Sequence, residues 1–392
     1  MTQPQTGASM QEFLAEHGLV APSYTGRSLA TLMPSIAQSL GVISEDSMEA
    51  DGWGIRPTRH VCLIVVDGLG ALNLAEFSAD APFLNELATD AATASTGFPS
   101  TTATSMSIIG TGSETGRTGI VGYSAMNPAT GENANFVAWR NLPAPHEIQR
   151  KPVLLEKIVQ SGLRVRSIGL ARYNGSGMTL ATLRGPEYEE AISLQDHFER
   201  ALLHCVSPGL THLYWADIDK VGHHYGVGSP EWRQALRDFD RELARFVANL
   251  PTETQLVLTA DHGMINVDLA QRIDVAQHFA LARGLRGLGG EPRLTHAYFN
   301  SPGAADKALP AWQGTIGEHG VVLTRDQAID LGLFGEVASH VRDWIGHLIV
   351  IAKKRATVID SETMSPSAIG LRGVHGSLTE TEVTVPAVIH VA

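Results

Sequence analysis

Cysteine is nearly absent: Cys62 and Cys205 are the two that the 392-residue chain contains. A disulfide framework is therefore not expected, and Cys62 lies inside an apolar run that reads as a buried strand. A four-cysteine zinc site is impossible, and a finger-type site lacks its close cysteine pair. Long apolar runs are also missing. No stretch approaches the roughly 18 consecutive apolar residues of a membrane-spanning helix. The first residues, MTQPQTGASMQEFLAEHG, have neither a basic start nor an apolar segment of signal-peptide type. A cytoplasmic location is the resulting expectation, with no membrane partner. Positive charge is in short supply too, with 29 Lys and Arg against 41 Asp and Glu and a net charge of −12. Such a balance argues against a nucleic-acid polymer as partner. It leaves room for an anionic small molecule, because a metal ion reverses the local field.

What is present is an ordinary globular composition, 43% apolar and 18% charged, without repeats or low-complexity segments. Residues 1–58 are mixed and read as an N-terminal lead-in packed on a larger domain, 59–392. Then comes HVCLIVVDGLG, whose Val61–Val66 run is continuous and mostly β-branched, as in a strand buried on both faces of a parallel sheet. Further strands are expected at Val165–Leu170, His212–Trp215, Gln255–Thr259, Leu294–Phe299, Gly320–Leu323, His347–Ala352 and Val385–Val391. Helical patterns such as Pro152–Ser161 and Glu231–Leu250 fall between them. The alternation predicts an α/β fold with a largely parallel central sheet flanked by helices. Two segments, 119–150 and 265–360, break the rhythm and read as insertions able to shape or cover a site.

In open α/β sheets, ligands bind beyond the carboxyl ends of the strands. Val61–Val66 ends in Asp67-Gly68, and His212–Trp215 runs into Asp217 and Asp219 within YWADIDKVGHHYG. Gln255–Thr259 leads to Asp261-His262-Gly263, and late in the chain stands His375-Gly376. Carboxylates and imidazoles together suit a borderline divalent ion such as zinc. Asp67, Asp219, Asp261, His223, His262 and His375 are too many for one tetrahedral ion with an open position. They suit two metals with three protein ligands each, the arrangement of phosphoryl transfer. Manganese or iron would fit an oxygen-rich version. If the strand continues past Trp215, Asp217 shares a face with Asp219 and orients a ligand instead of binding metal. His224, directly after His223, points elsewhere and supports the site or faces substrate.

Such a site needs a nucleophile. STGFPSTTATSMSIIGTG, residues 95–112, opens with a Pro99-Ser100 turn, and Ser100 or Thr101 caps a helix running through Met106 and Ile109. A hydroxyl in that first turn lies in the positive field of the helix N-terminus, and metal coordination activates it. Arg140 and Arg172 are possible phosphate contacts, although single arginines are usually solvated surface.

The ordered set Asp67-Gly68, Pro99-Ser100-Thr101-Thr102, Asp219-x-x-Gly222-His223, Asp261-His262-Gly263 and His375-Gly376 resembles the alkaline phosphatase superfamily. The nearest resemblance is to its type I phosphodiesterase/nucleotide pyrophosphatase branch. It implies an alkaline phosphatase-like α/β fold and hydrolysis of phosphate esters or nucleotide pyrophosphates with two Zn2+. It implies one zinc on Asp67, Asp261 and His262, and a second on Asp219, His223 and His375. Thr102 falls on the family's nucleophile position, with Thr101 and Thr104 as neighbours. Where the eukaryotic-type enzymes place an asparagine against a phosphoryl oxygen, GIVGYSAMNP places Tyr123, whose hydroxyl is able to donate there. Phosphomonoesterase activity on the same core and metal binding without turnover are the alternatives. A formylglycine sulfatase is disfavoured because no cysteine lies near the nucleophile helix, and no sugar-phosphate clamp of a phosphomutase is identifiable.

Overall fold

The computed structural model describes residues 9–43, 52–88 and 92–392; residues 1–8 and 44–51 of the lead-in lie outside the described part. The strand His60–Val66 is buried along its whole length and forms the middle of a seven-stranded sheet. Across that sheet the order is Ala92–Ser95, Thr384–Val391, Thr254–Ala260, His60–Val66, Gly209–Trp215, Arg164–Gly169 and Glu187–Glu190. Thr384–Val391 runs antiparallel to both its neighbours, and the other pairings are parallel. The sequence pattern located most of these strands to within a few residues. It missed Glu187–Glu190, because EYEE is a polar edge with no apolar run. It also missed Ala92–Ser95, four residues with little side-chain signal.

Helices pack around this sheet in groups, Leu29–Ser39 with Thr102–Thr111 and Leu154–Gln160, and Leu194–Cys205 with Pro230–Val247. The last shows how local chemistry sets an element. Ser229 caps it by accepting from the Trp232 N–H at 3.1 Å, and Pro230 occupies the first turn, where a missing N–H costs nothing. Trp232, Leu236, Phe239, Leu243 and Phe246 recur at three- and four-residue spacing, which puts them on one buried face.

The segment 265–360 contributes a second, antiparallel sheet in the order Leu285–Glu291, Leu294–Phe299, Leu348–Ala352, Gly320–Thr324. The glycine-rich strand Leu285–Glu291 escaped the sequence pattern. The segment 119–150 holds a small hairpin, Ser124–Met126 with Asn133–Asn135. It is tied to the second sheet by Ser124 Oγ donating to Gly290 O at 2.9 Å and Asn133 Nδ2 donating to Leu288 O at 3.0 Å.

Register decides what the carboxyl rim presents. Val66 lies opposite Trp215 on one side and Ala260 on the other. The chain therefore emerges at one level as Asp67, Ala216 and Asp261. Beyond Ala216 the strand does not continue, which corrects the expectation that Asp217 and Asp219 share a strand face. A helix begins at Asp217 and runs to Tyr225. Its i, i+4 spacing puts Asp219 and His223 on one face and turns Asp217 away from both. Among the described residues no helix is long and apolar enough to cross a membrane.

Candidate metal centre and active site

Three imidazoles converge on this rim, each oriented by a backbone carbonyl. His223 Nδ1 is 2.8 Å from Gly373 O, His375 Nδ1 is 3.0 Å from Ser100 O, and His262 Nδ1 is 3.2 Å from Gly263 O. A carbonyl accepts only, so each Nδ1 carries a proton and each Nε2 is the nitrogen turned toward the site. Those Nε2 atoms face carboxylates: His223 to Asp219 Oδ2 at 3.2 Å, His375 to Asp219 Oδ1 at 3.8 Å, His262 to Asp67 Oδ1 at 3.3 Å and to Asp261 Oδ2 at 3.6 Å. The His262 and His375 rings stack with centroids 3.6 Å apart.

Glycines make this convergence possible. Gly68 has φ +73°, and a Cβ there would stand 2.9 Å from Asp219 Cβ, so the Asp-Gly step lets the second carboxylate lie against the first strand end. A Cβ on Gly263 would stand 1.9 Å from Thr381 O, which explains the third residue of Asp-His-Gly.

Two groups of donor atoms close enough to share an ion result: Asp219, His223 and His375, and Asp67, Asp219 and His262. The first coincides with one of the ligand sets implied by the resemblance. In the second, Asp219 stands where Asp261 was expected, so Asp219 is common to both groups. Asp261 lies beside them, with Oδ1 accepting from the Gly68 and His262 N–H groups, each at 3.1 Å. Its Oδ2 is buried without a partner, as is Asp219 Oδ1. Buried carboxylate oxygens without a hydrogen bond, beside three imidazole Nε2 atoms, fit divalent cations.

Electrostatics agree with that fit. Burial, reinforced by the neighbouring Asp219 charge, pushes Asp67 up to about 8. Burial and the Asp67 charge push Asp261 well above the usual carboxylate range. Burial also pushes Asp219 upward, but the imidazoles of His223, His375 and His262 outweigh it and hold its carboxyl below the ordinary range. His223 is drawn down by burial and more strongly raised by Asp219, to about 9, whereas burial and His262 keep His375 well below its ordinary value. Carboxylates this close oppose each other's ionisation until cationic charge enters.

Thr102 opens the helix Thr102–Thr111 after the N-cap Thr101. Its Oγ1 lies 3.1 Å from His262 Nε2 and donates to Asp67 Oδ1 at 3.4 Å. Ser105 Oγ donates to Asp261 O at 2.7 Å and ties this helix to the end of the strand. Tyr123 is 46% exposed, and its N–H donates to Glu291 Oε2 at 3.0 Å. His224 is exposed, with Nδ1 on Lys220 O. Arg140 is exposed, and Arg172 lies over the Tyr173 ring. Cys62 and Cys205 are both free and buried.

Sequence reasoning passed over three groups. Tyr214 donates its hydroxyl to Asp67 Oδ2; only its alternation with buried Leu213 on the strand hinted that it faces the rim. Glu291 enters from the second sheet. Arg293 and Glu382 form a fully buried ion pair, Nη2 to Oε2 at 2.7 Å and Nε to Oε1 at 3.1 Å. Glu382 Oε1 also accepts from Ser377 N–H at 3.0 Å, and Glu382 O accepts from Gly263 N–H at 2.9 Å. The pair thus braces the segments that carry His375 and His262.

The large, mostly parallel sheet flanked by helices is an alkaline phosphatase-like α/β fold, and its carboxyl rim gathers buried aspartates, oriented histidines and the threonine that opens a helix. Residues 61–378 match the model of the type I phosphodiesterase/nucleotide pyrophosphatase family, and the chain belongs to that family. The family's characterised members include hydrolases of phosphoester bonds. Phosphopentomutase of Desulfitobacterium hafniense is 31% identical over 153 residues, which cover 36% of this chain and 36% of that protein. Human ectonucleotide pyrophosphatase/phosphodiesterase family member 5 is 30% identical over 99 residues, covering 23% of this chain and 21% of that protein. The chain thus spans about a third or less of the length of these curated relatives. Among solved structures, murine ectonucleotide pyrophosphatase/phosphodiesterase 5, an inactive form with AMP, superposes with TM-score 0.68 at 15% identity, over 84% of this chain and 87% of that one. Phosphonoacetate hydrolase of Sinorhizobium meliloti 1021 with phosphonoformate gives 0.63 at 20% identity, over 88% and 94%. These likenesses concern the fold.

Proposed function

We propose that this protein is a metal-dependent phosphoric ester hydrolase acting on phosphodiesters or nucleotide-type pyrophosphates, with Thr102 as nucleophile and two divalent ions, zinc foremost, held by Asp67, Asp219, His223, Asp261, His262 and His375. The observation that carries it is the set of three imidazoles, each with Nδ1 on a carbonyl and Nε2 toward buried aspartates, beside Thr102 Oγ1. Bound divalent ions would supply Lewis-acid charge that lowers the pKa of a hydroxyl and offsets charge on phosphoryl oxygens. The chain's own residues do the rest. The Thr102 hydroxyl loses its proton to water and its oxygen attacks phosphorus. The bond to the leaving oxygen breaks, and that oxygen takes up a proton from solvent. Water then attacks the phospho-threonine, the bond from phosphorus to the threonine oxygen breaks, and Thr102 recovers its proton. N–H groups of the first helical turn face the phosphoryl oxygens. Tyr123, exposed between buried neighbours, is the substrate contact in this reading, its hydroxyl donating to a phosphoryl oxygen.

The test compares hydrolysis of bis-p-nitrophenyl phosphate and p-nitrophenyl phosphate by zinc-loaded protein and by Thr102→Ala. Diester turnover above monoester turnover, reduced at least about a thousandfold in the variant, is expected. Preferred monoester turnover would instead favour the phosphomonoesterase reading. Two bound zincs with no turnover of either ester would favour a binding role.

A further inference from the structure

Glu291 ends one strand of the second sheet. Its Oε2 accepts from the Tyr123 N–H, while its Oε1 is buried and makes no hydrogen bond. That free oxygen lies 2.9 Å from where a Cβ on Gly376 would stand and 3.8 Å from where one on Gly122 would. Gly376 directly follows His375 and is bridged to Ser100, two residues before Thr102. Burial pushes Glu291 up to about 8, against the pull of the Tyr123 N–H and the Thr101 side chain; the neighbouring charge acting on it is that of Glu382, not of a cation. Glu291 therefore stands where the nucleophile turn, the Tyr123 loop and the His375 segment meet. Its unsatisfied oxygen is bordered by two residues without side chains.

We propose that Glu291 is a specificity-determining residue, whose free carboxyl oxygen meets a non-bridging phosphoryl oxygen and makes the site prefer phosphoryl groups of single negative charge over dianionic monoesters. The inference rests on the phosphoester reading above. The ionised carboxyl repels a second negative charge on the phosphoryl group more than it disfavours a single one, and both substitutions below remove that charge. A site built for a dianion would place a lysine or arginine at such a junction.

The test reads binding, so it does not depend on turnover. Zinc-loaded Thr102→Ala protein is titrated calorimetrically at about pH 8, where a phosphate monoester is a dianion. The ligands are methyl phosphate and dimethyl phosphate, with Glu291 intact, with Glu291→Gln and with Glu291→Ala. Both substitutions are expected to tighten methyl phosphate about tenfold and to change dimethyl phosphate by less than roughly threefold. The same shift for both ligands, or no shift in proteins that retain their zinc, overturns the proposal. If the glutamine variant loses zinc, the alanine variant decides by the same criterion. Absent turnover in the wild type defeats the hydrolase reading, whereas an unchanged charge preference defeats this one.

Discussion

The carboxyl rim of the seven-stranded sheet and the apolar face of the helix Pro230–Val247 are both buried, yet burial does opposite things in them. On the helix, Leu236, Phe239, Leu243 and Phe246 lose contact with water and gain stability from it. On the rim, Asp67 and Asp261 are buried as well, and there burial works against their charges. The core is self-sufficient. The rim is a destabilised arrangement held in place from outside, by carbonyls that orient the imidazoles and by the Arg293–Glu382 bridge. Strain of this kind belongs to a site that waits for a ligand.

Breaking the bridge is the most severe test. Arg293→Met leaves Glu382 buried without its counter-charge and is expected to cost about 3–5 kcal/mol in urea unfolding. It should also weaken zinc binding, because Glu382 braces the His262 and His375 segments; unchanged zinc affinity would refute that link. Leu243→Ala should cost a comparable but smaller amount, about 2–5 kcal/mol, with zinc affinity unaltered. Together the two separate a core that carries stability from a bridge that carries both.

The rim's own charge is tested by pH. Asp67, at about 8 when folded, lies far above an unfolded aspartate, and His223, at about 9, lies above an unfolded histidine. For each, the contribution to stability is present at low pH and is lost as pH rises through the folded value. Metal-stripped protein should therefore melt at lower temperature as pH goes from 6.5 to 9, the window between the ordinary histidine value and that of His223. The drift should be shallower in Asp67→Asn and suppressed by zinc. His375, depressed when folded, acts with the opposite sign at lower pH, where the drift should flatten. The smallest effect is expected from Ser229→Ala, which removes the cap of Pro230–Val247 and should cost about 1 kcal/mol without touching zinc binding.

Much of this site was legible because its parts are local. An apolar β-branched run followed by Asp-Gly, or a strand followed by Asp-His-Gly, places a carboxylate at a strand end by short-range chemistry alone. The strand positions followed from the same runs. Where the runs were short, polar or glycine-rich, as in Ala92–Ser95, Glu187–Glu190 and Leu285–Glu291, the pattern carried no signal. Asp217 was misread for a related reason. The sequence shows an apolar lead-in and then polar residues, and nothing in that pattern says that the backbone turns helical at Asp217.

By itself, then, the sequence determined which chemical groups stand at the ends of which strands, since periodicity and strand-end motifs are properties of neighbouring residues. Tertiary structure alone decided which groups share a space. The register of His60–Val66 against Gly209–Trp215 and Thr254–Ala260 levels the rim, and Gly68 admits Asp219 to it. Carbonyls as distant as Gly373 and Ser100 orient the imidazoles, and a strand of another sheet delivers Glu291. The physical reason is that a buried polar group must be satisfied, and in a folded chain its partners come from whatever segment packing brings within about 3 Å.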